Sequence, residues 1–378
     1  MSRRFRFVFL SVLALSMLIA ACQPAEPVIV TQEVVVTQEV QVVTTQEVQV
    51  QVPVEFTMES ARLQAVKDSG QLRCGVNSGV RGFGFLNEQS EFVGFDIDFC
   101  RALAAAIFND PEAVEFRPLT TPERFTALQT NEIDVLIRNT TWTFGRDVEL
   151  GTDFGPTTFF DGQGMMVRKD SGFSSLDDMG GATICLQTGT TTELNLADAF
   201  NSRGLTYETL LFDTPEDTYK TYDEGRCDGA TSDKSQLTGN RTGLATPADH
   251  VILPETMSKE PLGPVWAHGD QQWGDVVQWV VYGLMIAEEK GITSANVDQI
   301  VAGEIKDPEV ARLLGLEGEF GALLGLAPDF MVNVIRTVGN YGEIYDRNLG
   351  PEGVDIPRAG TLNDLWTRGG LLYAPPWR

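Results

Sequence analysis

The chain has 378 residues, of which 28 are Lys or Arg and 53 are Asp or Glu, so its formal net charge is −25. Its length suggests two domains of ordinary size, and its 42% hydrophobic and 21% charged residues are typical of globular proteins. The negative charge repels a phosphate backbone and nearly excludes nucleic-acid binding. Because His250 and His268 are the only histidines in the sequence, a histidine-rich metal site is not possible, and we expect no metal and no cofactor.

The N-terminal segment has the features of a secretory signal. Three arginines precede an apolar run at residues 7–21, which is too short for a comfortable membrane span and is followed by Cys22. The sequence Ile-Ala-Ala-Cys at its end looks like a bacterial lipobox, in which the cysteine becomes the lipidated first residue. We therefore predict a lipoprotein signal peptide at 1–22 and an exported protein that is lipid-anchored on the outer face of the cytoplasmic membrane. The alternative is an ordinary signal peptide with an incidental cysteine.

A low-complexity segment follows at 23–58. Residues 23–55 are almost wholly Val, Gln, Thr, Glu and Pro, and Thr-Gln-Glu-Val occurs at 31–34, 37–40 and 45–48. Val alternates with polar residues at the period of a β-strand, but so little variety does not define one register. We predict an extended tether that lifts a folded domain off the membrane. The alternative is a small β element or self-association.

From about residue 60 the pattern alternates between strands and helices. In chain order, it predicts strand Gln71–Val76, a helix from Gly94, a helix start at Thr120–Glu123, strands Ile133–Ile137 and Met165–Val167, a short helix Ser175–Met179, strand Ala182–Leu186, helix Thr190–Phe200, a helix from Thr214, strand Asp228–Thr231, and C-terminal helices at Trp273–Lys290, Asn296–Ile300, Glu309–Leu314 and Pro328–Val338. Two consecutive β-α-β series indicate two α/β domains.

Four cysteines remain when the predicted lipidation site is set aside: Cys74, Cys100, Cys185 and Cys227. An even number of cysteines in an exported protein suggests two disulfides. Three pairings are possible, and the sequence alone does not choose between them. If each α/β domain holds one pair, Cys74 with Cys100 and Cys185 with Cys227 is the natural pairing.

The sequence lacks the common catalytic signatures. It has no G-x-S-x-G elbow, no H-E-x-x-H motif and no Walker loop, and its two G-x-G sequences, at 82–84 and 162–164, lack the third glycine of a dinucleotide fingerprint. We therefore expect no catalytic residues.

Three groups of residues are suited to holding a zwitterion. Asn139-Thr140-Thr141-Trp142-Thr143 with Arg146 follows a buried strand, and arginine offers a fork that matches a carboxylate. Gly189–Glu193 lies where a strand passes into a helix N-terminus, which favours anions. Asp233, after the strand ending at Thr231, can take an ammonium. Each has a structural alternative: surface charge for Arg146, a capping box for Thr190 with Glu193, and a helix cap for Asp233.

These residues belong to longer stretches that resemble one family. The sequence is similar to the general L-amino-acid-binding subfamily of periplasmic solute-binding proteins, which supply polar amino-acid ABC transporters. The resemblance covers about residue 60 to the C-terminus, and it rests on Cys74–Asn77, Gly94–Arg101, Arg124–Gln129, Arg138–Thr143, Phe159–Gly164, Gly189–Asp198, Gly225–Asp228, Asp249–Glu255, Ser258–Pro264, Gly339–Glu343 and Leu371–Pro376.

The resemblance implies an α/β, two-lobe, type II periplasmic-binding-protein-like fold with a two-strand hinge. The hinge strands would cross near Phe160–Gln163 and Lys259–Gly263. Lobe 1 would comprise 59–161 and 261–378, including a helical C-terminal extension, and lobe 2 would comprise 162–260.

It also implies a ligand set. Arg146 would hold the α-carboxylate of an L-amino acid with the help of Thr141 and Thr191, and Asp233 would hold the ammonium with Asn139 nearby. Asn77 and Thr190 complete the predicted ligand-binding set, and Arg81, Phe85, Arg138 and Trp142 are the predicted side-chain pocket.

The function that follows is capture of L-amino acids by a monomer and delivery to an ABC permease. The preferred ligands would be Glu, Gln, Asp and Asn. One alternative is an enzyme on the same scaffold, such as a cyclohexadienyl-type dehydratase, which would need an acid–base pair in the cleft. The other is an amino-acid sensor, which would need a cytoplasmic output segment that we do not expect here.

Overall fold

A computed structural model describes residues 60–378. The predicted signal peptide with Cys22 and the predicted tether lie outside the described residues. Within 60–378, no helix combines the length and the apolar character needed to cross a membrane.

The described residues form a mixed α/β fold. The strands are β1 Leu72–Val76, β2 Gly79–Val80, β3 Gly84–Leu86, β4 Phe92–Val93, β5 Val114–Pro118, β6 Val135–Leu136, β7 Thr152–Phe154, β8 Phe159–Asp161, β9 Gln163–Arg168, β10 Ala182–Gln187, β11 Tyr207–Phe212, β12 Gly229–Asp233, β13 His250–Ile252, β14 Glu260–Leu262 and β15 Val265–Ala267. The α-helices are α1 Ala61–Ser69, α2 Phe95–Phe108, α3 Arg124–Gln129, α4 Phe144–Glu149, α5 Thr191–Arg203, α6 Pro215–Asp223, α7 Lys234–Arg241, α8 Gln271–Glu289, α9 Val297–Ala302, α10 Pro308–Leu313, α11 Phe320–Leu323, α12 Phe330–Val338 and α13 Tyr341–Asn348.

Two five-stranded sheets organise two lobes. The first has the order β5-β1-β6-β15-β7, in which β1 runs parallel to β5 and β6 while β15 is antiparallel to its neighbours. The second has the order β11-β10-β12-β9-β13, in which β10 runs parallel to β11 and β12 while β9 is antiparallel to its neighbours. The predicted two-lobe α/β fold is confirmed.

The chain crosses between the two sheets twice. It leaves the first sheet after β7, passes through β8 and enters the second sheet at β9; it returns through β14 to β15. β8 and β14 pair antiparallel, with Asp161 opposite Glu260. These paired strands form the two-strand hinge, whereas the exact lobe boundaries at 161/162 and 260/261 stay a prediction.

Each sheet is covered on both faces by apolar side chains, as expected for largely parallel strands. The largest core joins the first sheet to α2, α8, α12 and α13, and it includes a group of aromatic rings around Phe95. Phe95 contacts Phe83, Phe99 and Tyr341 edge to face, with ring centroids 5.9, 5.0 and 5.7 Å away. Edge-to-face contacts of this kind fix the orientation of neighbouring rings.

Most predicted elements are present, with three local differences. The strand predicted at Ile133–Ile137 spans only Val135–Leu136. The helix predicted to start at Thr120 begins at Arg124, and the Thr120 hydroxyl donates to the Glu123 carboxylate at 2.5 Å instead of accepting from a backbone N–H. The strand predicted to end at Thr231 continues to Asp233.

The disulfide pairing is confirmed. Cys74 in β1 bonds to Cys100 in α2, and Cys185 in β10 bonds to Cys227 just before β12. Each bridge ties a strand to an element that packs on its own sheet. Neither bridge therefore restrains the hinge.

The C-terminal part supports the hinge from outside. The Asn363 side chain accepts from the Phe160 N–H at 2.7 Å and donates to the Phe160 carbonyl at 3.0 Å, so it pairs with β8 as a neighbouring strand would. Arg358 binds Glu288 of α8 with two hydrogen bonds of 2.8 Å, which ties the same segment to the first lobe. Such bidentate pairs are directional as well as strong.

We predict that the double substitution Cys185→Ala with Cys227→Ala lowers the free energy of unfolding by roughly 3–4 kcal/mol, because the bridge closes a long loop in the unfolded chain. Urea unfolding measures this loss. Amino-acid affinity should stay at the wild-type value, because the bridge lies within one lobe. An unfolding midpoint equal to that of the wild type would contradict the prediction.

Candidate functional site

A cavity lies between the two lobes at the carboxyl ends of their parallel strands. Its free volume is about 20 Å³, far below the roughly 300–1,000 Å³ that is usual for ligand pockets. Both lobes contribute to its lining: Thr121, Arg124, Arg138, Asn139, Thr141 and Arg146 come from the first, and Gln187, Thr190, Thr191, Thr192, Ser232, Asp233 and Gln236 come from the second. Of the predicted ligand-binding residues, all except Asn77 line this cavity.

Arg146 faces the cavity from α4. Thr143 caps this helix by accepting a hydrogen bond from the Arg146 N–H at 3.3 Å. The guanidinium donates to the Thr141 carbonyl at 2.8 Å and lies over the Phe125 ring, 5.3 Å from its centroid. Burial lowers the pKa of Arg146 to about 10, so the side chain is still cationic at neutral pH. Its position in the cavity argues against the surface-charge alternative.

Two more arginines line the same wall. Arg138 is 3% exposed and donates to the Leu119 carbonyl at 2.9 Å and to the Thr121 hydroxyl at 3.2 Å. Arg124 is 4% exposed, and its Nε has no hydrogen-bond partner among residues 60–378. Burial, with Arg146 and Arg138 nearby, lowers the pKa of Arg124 well below its usual value. Three cations in one small cavity favour a ligand with anionic groups.

The sequence prediction missed Arg124. It is the first residue of α3 and stood within a stretch that carried the family resemblance, but no local pattern distinguished it from an exposed arginine near a helix start. The available signal was the spacing of Arg124, Arg138 and Arg146, which all follow the carboxyl ends of strands of one sheet. Only the sheet order shows that these ends converge.

Asp233 faces the cavity from the second lobe. It is the last residue of β12 and is 4% exposed. Although it occupies the position before α7, its side chain makes no capping hydrogen bond, so the helix-cap alternative is wrong. Burial, followed by the nearby carboxylates of Asp161 and Glu260, raises the pKa of Asp233 well above its ordinary value, while Arg146 and Arg124 act in the opposite direction. The two cations therefore offset the burial of Asp233 only in part.

The start of α5 forms another part of the lining. Thr190 caps the helix, and its hydroxyl accepts from the Glu193 N–H at 3.2 Å, while Glu193 accepts from the Gly189 N–H at 3.1 Å. Thr190 is therefore an N-cap, but the capping box predicted with Glu193 is not formed, because Glu193 accepts from Gly189 and not from Thr190. The cap does not exclude ligand binding, because Thr191 and Thr192 line the cavity at the same helix N-terminus, where backbone N–H groups favour anions.

Two asparagines support the opposite wall. The side chain of Asn77, which follows β1, donates to the side-chain carbonyl of Asn139. The backbone of Asn139 has φ +35°, in the left-handed region that asparagine tolerates better than most residues. Its N–H donates to Asp96 at 2.6 Å, and burial raises the pKa of Asp96 to about 7. Asn77 thus orients a cavity residue rather than lining the cavity itself.

The structure separates the four residues of the predicted side-chain pocket. Arg138 lines the first cavity. Arg81 and Phe85 line a second, larger opening of about 420 Å³ between β2, β3, α6 and α7. Trp142 is 46% exposed and stacks on Phe154, with ring centroids 6.0 Å apart.

The two histidines lie outside the cavity: His250 bonds to the Tyr222 hydroxyl at 2.8 Å, and His268 pairs with Asp153 at 3.2 Å.

Residues 72–314 match the family of bacterial extracellular solute-binding proteins, family 3. The chain belongs to this family. The sequence resemblance to periplasmic solute-binding proteins is thereby confirmed.

Two relatives with about half of their residues identical are named as amino-acid-binding proteins. The chain is 50% identical to the general L-amino acid-binding periplasmic protein of Rhizobium johnstonii, over 84% of this chain and 92% of the relative. It is 49% identical to the glutamate/glutamine/aspartate/asparagine-binding protein of Rhodobacter capsulatus, over 84% of this chain and 94% of the relative. A solved structure, an ABC transporter periplasmic binding protein from Brucella ovis with glutathione bound, is 49% identical with a TM-score of 0.80 and covers 84% of this chain and 99% of that chain.

We predict that Asp233→Asn stabilises the ligand-free protein at pH 8. A carboxyl group whose pKa is higher in the folded than in the unfolded protein destabilises the native state at any pH above the folded-state pKa. This destabilisation disappears as the pH falls below the pKa of the unfolded state, about 3.9. The melting temperature at pH 8 should therefore rise by at least about 2 °C, and the gain should shrink steadily towards pH 4.

The matched control is Asp298→Asn. Asp298 lies on α9, and a hydrogen bond from Arg336 lowers its pKa, so the same substitution there should give no gain at pH 8. Equal effects of the two substitutions, or a gain at Asp233 that grows as the pH falls, would contradict the account of the buried carboxylate.

Proposed function

We propose that this protein encloses an L-amino acid between its two lobes and delivers it to an ABC permease. The observation that carries the proposal is the pair of facing charges in the cavity, Arg146 on the first lobe and Asp233 on the second. A buried charge is costly unless it has a partner of opposite sign. An amino-acid zwitterion supplies both missing charges at once, an α-carboxylate for Arg146 and an ammonium for Asp233.

The hydroxyl groups refine this assignment. Thr141 and Thr191 both donate their hydroxyl protons to the Glu260 carboxylate, at 2.6 and 3.0 Å. A hydroxyl has only one proton, so towards the cavity these two oxygens offer lone pairs. In our proposal they therefore accept from the ligand ammonium beside Asp233, while the α-carboxylate is held by Arg146 and by backbone N–H groups at the start of α5.

The remaining cations favour acidic ligands. Arg124 and Arg138 lie on the same wall as Arg146, and Arg124 has an unpartnered buried nitrogen. A second carboxylate on the ligand would give Arg124 the acceptor that it lacks. We therefore expect Glu and Asp to bind best, with Gln and Asn as neutral relatives that place a carbonyl oxygen at the same point. The name of the Rhodobacter capsulatus relative supports this ligand set.

A second candidate ligand is a γ-glutamyl peptide. The Brucella ovis protein was solved with glutathione, which carries a free α-amino-acid head on its glutamyl residue. The same clamp at Arg146 and Asp233 would hold this head. The first cavity is small, so a peptide would require a wider cleft than a free amino acid. Adding glutathione to the ligand panel tests this candidate directly.

The non-enzymatic assignment is part of the proposal. The relatives carry the names of binding proteins, and neither histidine lines the cavity within residues 60–378. A dehydratase would convert its ligand, so mass spectrometry of the ligand recovered after a long incubation should find it unchanged.

We predict that Arg146→Ala weakens binding of every amino acid by roughly thirtyfold to several-thousandfold. Truncating one partner of an enclosed charge pair typically costs about 2–5 kcal/mol, and every ligand shares the α-carboxylate. Calorimetry with Glu, Asp, Gln and Asn measures the loss. Arg336→Ala is the control, because Arg336 lies on α12 in a surface pair with Asp298.

Arg124→Ala should behave differently from Arg146→Ala. Its loss should be greater for Glu and Asp than for Gln and Asn, because only the acidic ligands place a second negative charge in the cavity. If Arg146→Ala binds all four ligands within about threefold of the wild type, the zwitterion clamp is wrong. If Arg124→Ala affects all four equally, the assignment of the side-chain carboxylate is wrong.

We also propose that the mature protein acts as a monomer and is attached to the outer face of the cytoplasmic membrane through a lipid on Cys22. The support is the lipobox-like Ile-Ala-Ala-Cys after a short apolar run. Cys22→Ala should abolish incorporation of labelled fatty acid and release the protein from the membrane fraction or leave it uncleaved. Equal labelling of the wild type and the variant would contradict this anchor.

A further inference from the structure

Glu260, the first residue of β14, is buried between the lobes. It is 1% exposed, and its carboxylate accepts four hydrogen bonds. Oε2 accepts from the hydroxyls of Thr141 at 2.6 Å and Thr191 at 3.0 Å, and Oε1 accepts from the side-chain amide of Asn195 at 2.8 Å and from the Ser258 hydroxyl. All four hydrogen-bond partners are uncharged, so no salt bridge neutralises this carboxylate among residues 60–378.

The backbone around Glu260 is fixed to the first lobe. The Trp142 N–H donates to the Pro261 carbonyl at 2.8 Å, and the Gly263 N–H donates to the Thr140 carbonyl at 3.2 Å. The start of β14 therefore moves with the segment that contains Thr141. Thr191 and Asn195, by contrast, lie one turn apart on α5, which packs on the second sheet. The Glu260 carboxylate thus spans the two lobes.

The charges around Glu260 make this arrangement costly unless the donors are in place. Asp161 lies directly opposite Glu260 in the register of β8 and β14, and like charges in that position destabilise a strand pair. Asp233 at the end of β12 adds another nearby carboxylate. Arg146 on α4 is the cation close to both Glu260 and Asp233, and Arg124 on α3 acts on Asp233. Opening the lobes would remove the two donors on α5 from Glu260.

We propose that Glu260 is a positioning residue that stabilises the closed lobes and orients the hydroxyls of Thr141 and Thr191 at the ligand site. In the closed form, one carboxylate joins a ligand-site threonine of each lobe. Since both hydroxyl protons point to Glu260, both oxygens face the cavity as acceptors. This inference rests on the proposed function for its ligand.

The test compares Glu260→Gln with the wild type in the full chain. The glutamine side chain is nearly the same size as that of glutamate, but an NH₂ group replaces one carboxylate oxygen. This NH₂ group would face hydrogen-bond donors and could not accept from them. Glu255→Gln is the matched control, because Glu255 lies in the same connecting segment and accepts from the Leu176 N–H at 3.1 Å, a contact that stays on the side of the second sheet. Asn195→Ala removes one lobe-crossing donor and leaves Glu260 unchanged.

Dissociation of radiolabelled L-glutamate is the first measurement. A contact that exists only in the closed form should affect release more than capture. Glu260→Gln should raise the dissociation rate by about tenfold to a hundredfold, the range expected for lost hydrogen bonds to a charged group, and change the association rate by less than about threefold. Asn195→Ala should raise the dissociation rate by a smaller factor, and Glu255→Gln should match the wild type.

Hydrogen exchange of the ligand-free proteins is the second measurement. The backbone N–H groups at 189–193 and 140–142 should exchange faster in Glu260→Gln than in the wild type and in Glu255→Gln, because the closed form is less populated. If Glu260→Gln behaves as Glu255→Gln in both measurements, the proposal is wrong. A wild type that binds no L-glutamate would contradict the proposed function alone, since the exchange rates still decide the role of Glu260.

Discussion

The structure depends on the burial of charges that do not fully neutralise one another. The cavity wall of the first lobe carries Arg124, Arg138 and Arg146, while Asp233 faces them from the second lobe, with Asp161 and Glu260 at the hinge. Burial shifts the pKa of Arg146 down and that of Asp233 up, which is the sign expected for charges that have lost water without gaining adequate partners. A folded protein tolerates such a site only when the surrounding structure holds it in place.

That surrounding structure is rigid within each lobe, and the connection between the lobes is narrow. The disulfides and the cores on both faces of each sheet fix the strand ends from which the charged residues project. The lobes are joined by only two paired strands, and Asn363 closes the free edge of one of them at Phe160. Closure around a ligand is then a hinge motion of two stable bodies, the usual motion of this class of binding protein.

The sequence was sufficient to predict most of the elements, and six of the seven predicted ligand-binding residues line the cavity. Local patterns identified the buried strands and the cap at Thr190, because each depends on residues near one another in the chain. The cysteine pairing followed instead from the predicted division into two α/β domains. Chemistry at the strand ends pointed to Arg146 and Asp233, and the family resemblance added their roles and the hinge. Arg124 was missed because its role depends on the order of strands in the first sheet. Arg81 and Phe85 were grouped with the site, although the turn between β2 and β3 directs them to a second opening.

The role of Glu260 was even harder to predict from the sequence than that of Arg124. Nothing near it in the sequence indicates that its four donors come from three separate segments, and a glutamate between a lysine and a proline suggests an exposed turn. Thr141 reaches this carboxylate because it pairs with Leu262 of β14, and Thr191 and Asn195 reach it through the approach of α5. Interactions between distant segments are what sequence patterns describe least well.

The most direct test of the zwitterion clamp varies the ligand rather than the protein. Calorimetry should compare L-glutamate with two analogues, one with an acetylated α-amino group and one with its α-carboxylate converted to an amide. Each analogue lacks one of the two charges that Asp233 and Arg146 are assigned to hold. We predict that L-glutamate binds and that both analogues bind at least about thirtyfold more weakly. If either analogue binds within about threefold of L-glutamate, the clamp does not hold the ligand as described.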